Sequence, residues 1–250
     1  MLPLLLAVVL AQDSPPRTDR SLEPRDDSGS LPLAFSTGGH ARASFPFGRI
    51  GDFTATSGAT SITFDDDVSY RDLLRPGPGF DLELSIGFSP QPPASMVPPG
   101  APPIPSYFGL YGAILWDRFD GDREDDSTPN ISVATDDLSI STFIVGLKAG
   151  GPVDTGLFGD FHIGVGASRF SALDATFTNG VTTFTTELFQ SSTEFLAEAR
   201  FRLGLRIGPL TLTAGSGIRV ASPPNAGSDL TLDPGAFWAF DIDVGLELGL

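Results

Sequence analysis

Few residues in this chain could do chemistry, and their spacing decides most of what they could do. There are two histidines, His40 and His162, and no cysteine, which removes disulfides, thiolate metal sites and cysteine nucleophiles together. His162 lies close in sequence to Asp160 and Ser168, the residue types of a hydrolytic triad. All three fall on one face of one strand, where side chains two apart point the same way without converging, and a triad needs contact geometry. His162 therefore reads as a histidine satisfied inside the fold. No catalytic residue is assigned, and the chain reads as a non-enzyme without a cofactor. Asp120, Asp122 and Glu124 alternate like the first ligands of a calcium loop, but Asp125 occupies the position that requires glycine and Ile131 that of the distal glutamate. The stretch is thus no EF-hand. With Asp126, Asp136 and Asp137 it forms a solvated acidic loop expected to collect divalent cations weakly, and through them to bridge to anionic lipid headgroups.

The third pattern is ionic. Within Thr193–Ile207, Glu194, Glu198, Arg200, Arg202 and Arg206 take even positions, while Phe195, Ala197, Ala199, Phe201, Leu203, Leu205 and Ile207 take the odd ones. Side chains of a strand alternate faces, so this is one strand with an oily face and an ionic face. At helical spacing the same residues leave no apolar stripe.

The elements that must position these charges repeat the pattern. Phe237–Leu250 sets Trp238, Phe240, Ile242, Val244, Leu246, Leu248 and Leu250 against Asp241, Asp243, Gly245, Glu247 and Gly249. Gly79–Phe88 sets Phe80, Leu82, Leu84, Ile86 and Phe88 against Asp81, Glu83, Ser85 and Gly87. Further strands are predicted over Tyr107–Asp117, Leu138–Ala149, Thr155–Ser168 and Leu210–Val220, with a first strand inside Leu33–Tyr70. Strands so sharply divided close into a barrel that leaves no edge unpaired. Gly150–Asp154 and Gly208-Pro209 read as tight turns, and Asn179-Gly180 as a hairpin signal. A two-residue turn at Asn179-Gly180 would set His162 and Asp160 opposite apolar residues, so a bulge or a longer loop must correct the register.

The 250 residues suit one barrel, and a net charge of -16 with only 15 Lys and Arg excludes a nucleic-acid footprint. No run is long enough for a membrane helix, so a bilayer could be crossed only as a barrel. Residues 1–11 read as a signal peptide, residues 12–44 as a disordered linker, and residues 45–250 as the barrel. Ser89–Ser106, dense in proline, reads as an extended inter-strand connector.

Alternation does not say which face points inward: a soluble secreted calyx binding an apolar ligand has apolar residues inside, a membrane barrel outside. Three features favour the membrane. Loops alternate long and short back from the C-terminus, with the proline segment as the exception. Trp116 and Trp238, with Phe237 and Phe240, fall on the long-loop rim as an aromatic girdle. The chain also ends with its strand. Asp243, Gly245, Leu248 and Leu250 resemble the C-terminal assembly signal of bacterial outer-membrane proteins, with leucine where phenylalanine is usual. Residues 45–250 resemble small bacterial outer-membrane β-barrels, similar in layout to the transmembrane domain of outer-membrane protein A.

The resemblance implies an all-β, antiparallel up-and-down transmembrane barrel of about eight strands, or ten if Phe45–Ala55 and Thr60–Asp66 are separate strands. It implies residence in the outer membrane of a Gram-negative-type bacterium, with membrane lipid and the insertion machinery as partners and a structural or small-solute permeation role. A lipid-modifying enzyme is the less favoured alternative. With the apolar face on lipid, the lumen holds Asp81, Glu83, Lys148, Asp160, His162, Glu198, Arg200, Arg202, Arg206, Arg219, Asp241, Asp243 and Glu247. These charges form either an ion-pair plug or a selective polar path, with room for water beside Gly204.

Overall fold

The computed structural model describes residues 33–88, 107–128, 130–154 and 156–249. The expected signal peptide, the linker up to residue 32, the proline-rich connector and Leu250 lie outside the described residues.

Eight strands close the barrel, each paired antiparallel with its neighbours. They are β1 (Leu33–Phe47), β4 (Gly77–Phe88), β5 (Tyr107–Phe119), β8 (Leu138–Asp154), β9 (Leu157–Phe170), β12 (Ser192–Ile207), β13 (Leu210–Ala221) and β15 (Phe237–Gly249). Their order is up-and-down, and β15 returns to pair with β1 from Ser36↔Gly249 to Phe47↔Trp238. The period-two pattern is obeyed in all of them. Phe35, Leu84, Leu110, Val145, Ile163, Leu203, Leu212 and Val244, one from each strand, are 40–68% exposed on the outside. Soluble surfaces seldom carry contiguous apolar patches above a few hundred Å², whereas a barrel in lipid requires such a belt. The inward face is buried and carries almost all of the barrel's charged side chains. This arrangement is the inverse of a calyx, so the soluble alternative does not describe this chain.

The barrel starts earlier than expected. β1 begins at Leu33, within the stretch read as linker, because its outward face is carried by Phe35, Thr37, Gly39, Ala41 and Ala43. Such small residues hide the alternation. The ten-strand alternative also fails: β2 (Arg49–Ser57) and β3 (Thr60–Ser69) form a hairpin outside the barrel. Gly48, at φ +114°, turns the chain out after β1, and a Cβ there would stand 2.5 Å from the carbonyl oxygen of Ala236. β8 runs through Gly150-Gly151-Pro152 to Asp154, so the turn into β9 comes later, with Gly156 at φ +78°. Gly208-Pro209 does form the minimal turn between paired Ile207 and Leu210.

The other seven strands lie in the long loops at one end. β6 (Arg123–Asp125), β7 (Ser132–Thr135), β10 (Leu173–Thr178) and β11 (Thr183–Phe189) make a four-stranded sheet, while β2, β3 and β14 (Leu230–Thr231) make a three-stranded one. A short helix, α1 (Tyr70–Leu73), follows β3. The two sheets meet through Phe53, which stacks on Phe64 at 5.4 Å and meets Phe177 edge-on at 5.7 Å. Ile50, Ile62, Val68, Val133, Leu173 and Leu188 complete an apolar core. Asn179-Gly180 belongs to the β10–β11 hairpin of this cap, and its four-residue loop pairs Thr178 with Thr183. The anticipated register conflict does not arise, since β9 pairs with β12 across the whole excursion and sets His162 opposite Arg200 and Asp160 opposite Arg202.

Candidate functional site

Parity selects the inward positions, and depth along the strands separates an apolar end of the lumen from an ionic one. Towards the long loops the inward positions are apolar: Phe119 on β5, Ile140 on β8, Phe170 on β9, Leu196 on β12 and Phe237 on β15 are all buried, whereas Leu115, which follows Asp117 inward along β5 and stands opposite Asp81, lies at the depth of the charges. Phe237 is the hub, with its ring centroid 5.0 Å from Tyr70, 5.9 Å from Phe119 and 5.4 Å from Phe170, each close to edge-on. Each of these phenylalanines contributes about 1.5–3 kcal/mol by full burial, and together they join the barrel mouth to the cap core. Phe237 was expected in the aromatic girdle. It shares parity with Ala239 and Asp241, however, so it points inward, and the outward aromatics at this rim are Trp238, stacked on Phe47, and Trp116, stacked on Phe80 at 4.5 Å.

Below the apolar layer lies the ionic one. Arg219 clasps Asp241 through two hydrogen bonds of 2.6 and 2.8 Å and donates to Asp117 at 2.8 Å. Arg42 donates twice to the same Asp117, at 3.1 and 2.8 Å. The Ser44 hydroxyl lies 2.9 Å from Asp117 and 2.7 Å from Asp241. Deeper, Arg200 spans Asp81 and Glu198 at 3.1 and 2.9 Å, and the Tyr111 hydroxyl donates to Glu198 at 2.7 Å. Arg202, with no exposed side-chain surface, donates to Glu83 at 2.8 Å, to Asp243 at 2.9 Å and to Asp81 at 3.4 Å. Lys148 bridges Glu83 and Glu247 at 3.1 Å. His40 Nδ1 is 2.6 Å from Asp81, and His162 Nε2 is 2.6 Å from Asp160. Charges removed from water are tolerated only when paired and hydrogen-bonded, and here guanidinium forks supply most of the donors. The layer ends at the short-turn side in a cavity of about 530 Å³ lined by Lys148, Glu247, Tyr107, Phe158, Thr211 and Arg206 among others.

Of the thirteen residues expected in the lumen network, the structure brings twelve together. Arg206 is the exception. It is exposed at the short-turn mouth and makes no ion pair among the described residues, because β12 leaves the crowded part of the lumen after Gly204. At Gly204 the place of a side chain is taken by Thr211, whose methyl group would stand 2.7 Å from a Cβ there. Five residues named above were missed: His40, Arg42, Ser44, Tyr111 and Asp117. The first three alternate along β1, and Asp117 shares parity with Tyr107, Tyr111 and Leu115 on β5, so the signal existed in the spacing.

His162 and Asp160 do converge, at 2.6 Å, since a buried imidazole can lean along its own strand. Ser168 lies elsewhere, bonded to Thr142 at 2.7 Å, and His162 is 0% exposed. The acidic outer loop is partly neutralised by arginines. Asp122 accepts from Arg75 at 2.8 Å, Asp137 accepts from Arg118 at 2.5 Å, and both carboxyls are held below the usual carboxylate range by those hydrogen bonds. Among the described residues no three acidic or histidine side chains are disposed to hold a metal ion. Of the expected C-terminal signal, Asp243 pairs with Arg202, Gly245 makes way for the His40 ring, and Leu248 faces outward.

No protein-family model matches the chain, and no curated protein matches it in sequence. Among solved structures it is similar to Neisserial surface protein A, at 12% identity and a TM-score of 0.40 over 86% of this chain and 96% of that one. It is also similar to Ail, the attachment invasion locus protein of Yersinia pestis, at 10% identity and a TM-score of 0.37 over 86% and 99%. A third likeness, at 8% identity and a TM-score of 0.27 over 89% and 99%, is to the outer membrane protease OmpT from Escherichia coli. The architecture itself rests on the strand pairing: a closed, eight-stranded antiparallel barrel of the outer-membrane kind.

Proposed function

We propose that this protein is a closed structural barrel of a Gram-negative-type outer membrane, anchoring a folded cap at the surface, and that it neither conducts solutes nor catalyses a reaction. One observation carries this reading: Phe237, Tyr70, Phe119 and Phe170 pack ring against ring and are buried at the cap end of the barrel, next to the ionic layer, which supports a lumen closed at that end. An eight-stranded barrel is just wide enough to be filled by its own side chains, and the five buried cations Arg42, Lys148, Arg200, Arg202 and Arg219 are each held by carboxylates. A permeation path would need mobile water along these groups. The lipid-modifying alternative would need a nucleophile beside an accessible base, and the two histidines are buried against carboxylates. Liposomes carrying the folded protein, diluted into isotonic arabinose, should swell no faster than protein-free liposomes. Swelling that rises with protein content would replace this reading with small-solute permeation.

A further inference from the structure

The outward face of the barrel is almost free of charge, and the exceptions are not scattered. Among the described residues, the charged side chains at lipid-facing positions of the eight strands are Arg118 on β5 and Arg169 on β9, both at the cap-side rim and both exposed. In a chain of net charge -16, the two lipid-facing charges are both positive. Arg118 is engaged by Asp137. Arg169 has no ion pair among the described residues.

The register gives Arg169 a built surrounding. Trp116, Ser141, Arg169 and Thr193 stand opposite one another in a row across β5, β8, β9 and β12, so a guanidinium lies between two hydroxyls on the outer surface. One step towards the membrane the row is Phe143, Ala167, Phe195. The two rings are 55% and 61% exposed, and Ala167 between them leaves a trough floored by a methyl group. The trough continues below into Ala197, opposite Val165. Strand spacing and rise place Arg118 about 12 Å from Arg169 at Cα.

We infer that this strip is a lipid site: the trough over Ala167 seats an acyl chain, and Arg169, with Ser141 and Thr193, holds the phosphate of an anionic lipid headgroup in the cap-side leaflet. Charge complementarity selects the occupant. A guanidinium at the apolar boundary meets a phosphate by paired N–H donors, and a cation near an anionic bilayer surface enriches such lipids about fivefold. The inference rests on the membrane-barrel reading but not on the closed lumen.

Trp116 is the probe, since it stands in the same row. In a Trp238→Phe background, the protein is reconstituted into phosphatidylcholine vesicles containing a small, equal fraction of either brominated phosphatidic acid or brominated phosphatidylcholine. Quenching of Trp116 by both lipids reports insertion, so a failure of the barrel reading would show as quenching by neither. The lipid site predicts quenching by phosphatidic acid equal to that of about fivefold more phosphatidylcholine. Arg169→Gln should remove this preference, Arg169→Lys should keep most of it, and Arg206→Gln, at the other mouth, should leave it intact. Equal quenching by the two lipids in the unmodified Arg169 protein, or a preference that survives Arg169→Gln, would overturn the inference.

Discussion

Arg202 and Arg206 share a strand, a face and a chemistry, yet the structure assigns them opposite weights. Arg202 is fully buried, with Glu83, Asp243 and Asp81 within 3.4 Å. If it is changed to Gln, Glu83 retains Lys148, and Asp81 retains Arg200 and His40. Asp243 retains no ion pair, because its one pair among the described residues is with Arg202. Removing one partner of a buried pair costs about 3–5 kcal/mol, since the other charge stays desolvated. With a slope of about 4 kcal/mol per molar guanidinium, the unfolding midpoint should fall by about 1 M. Arg206→Gln touches no such partner and should stay within about 0.5 kcal/mol of the parent. Adding Asp243→Asn to Arg202→Gln removes the orphaned charge, so the double variant should recover at least half of the loss. The assay is guanidinium unfolding in detergent, followed by far-UV circular dichroism and by the separate migration of unheated and boiled samples. Equal midpoint shifts for the two arginine variants, or no recovery in the double variant, would refute the assignment of Arg202 to the centre of the network.

Three further outcomes follow from single contacts. Phe237→Ala should cost about 3–5 kcal/mol as a large-to-small change in a packed site and should make the cap cleavable by protease in intact proteoliposomes, because Phe237 ties Tyr70 to the barrel mouth; an uncut cap would count against the plug. Gly245→Ala should destabilise the barrel by about 1–3 kcal/mol, measured as a lower unfolding midpoint, since its Cβ would strike the His40 ring and stand 2.5 Å from the Gly39 carbonyl oxygen. Deleting Gly249 and Leu250 should lower the amount of protein assembled in the outer membrane, read by fractionation, while normal levels would show that the chain end is not used in assembly.

The barrel was legible because lipid and lumen impose opposite polarity on alternate residues, and β4, β12 and β15 carry that signal in large side chains. β1 was not, since Gly38, Gly39, Ala41 and Ala43 give alternation almost no amplitude. The cap was opaque for a different reason. Its strands are short, as in β6 and β14, and its apolar residues pack between sheets, so Phe53, Phe64 and Phe177 give no amphipathic run long enough to separate from the barrel's own. Twelve members of the ionic network follow from parity alone, whereas the identity of each pair follows from inter-strand register. Arg206 shows the limit of parity, which fixes the side of a strand but not the depth along it. Phe237 shows the converse: its parity was plain, but an aromatic beside Trp238 suggested the girdle.

The central claim is that the lumen is closed by its own side chains, and ionic current tests it most directly. The unmodified protein, shown to be folded by its heat-dependent migration and inserted into a planar bilayer in molar potassium chloride, should give no steady conductance above the bare membrane. A stable, ohmic step conductance from the same preparation would contradict the account.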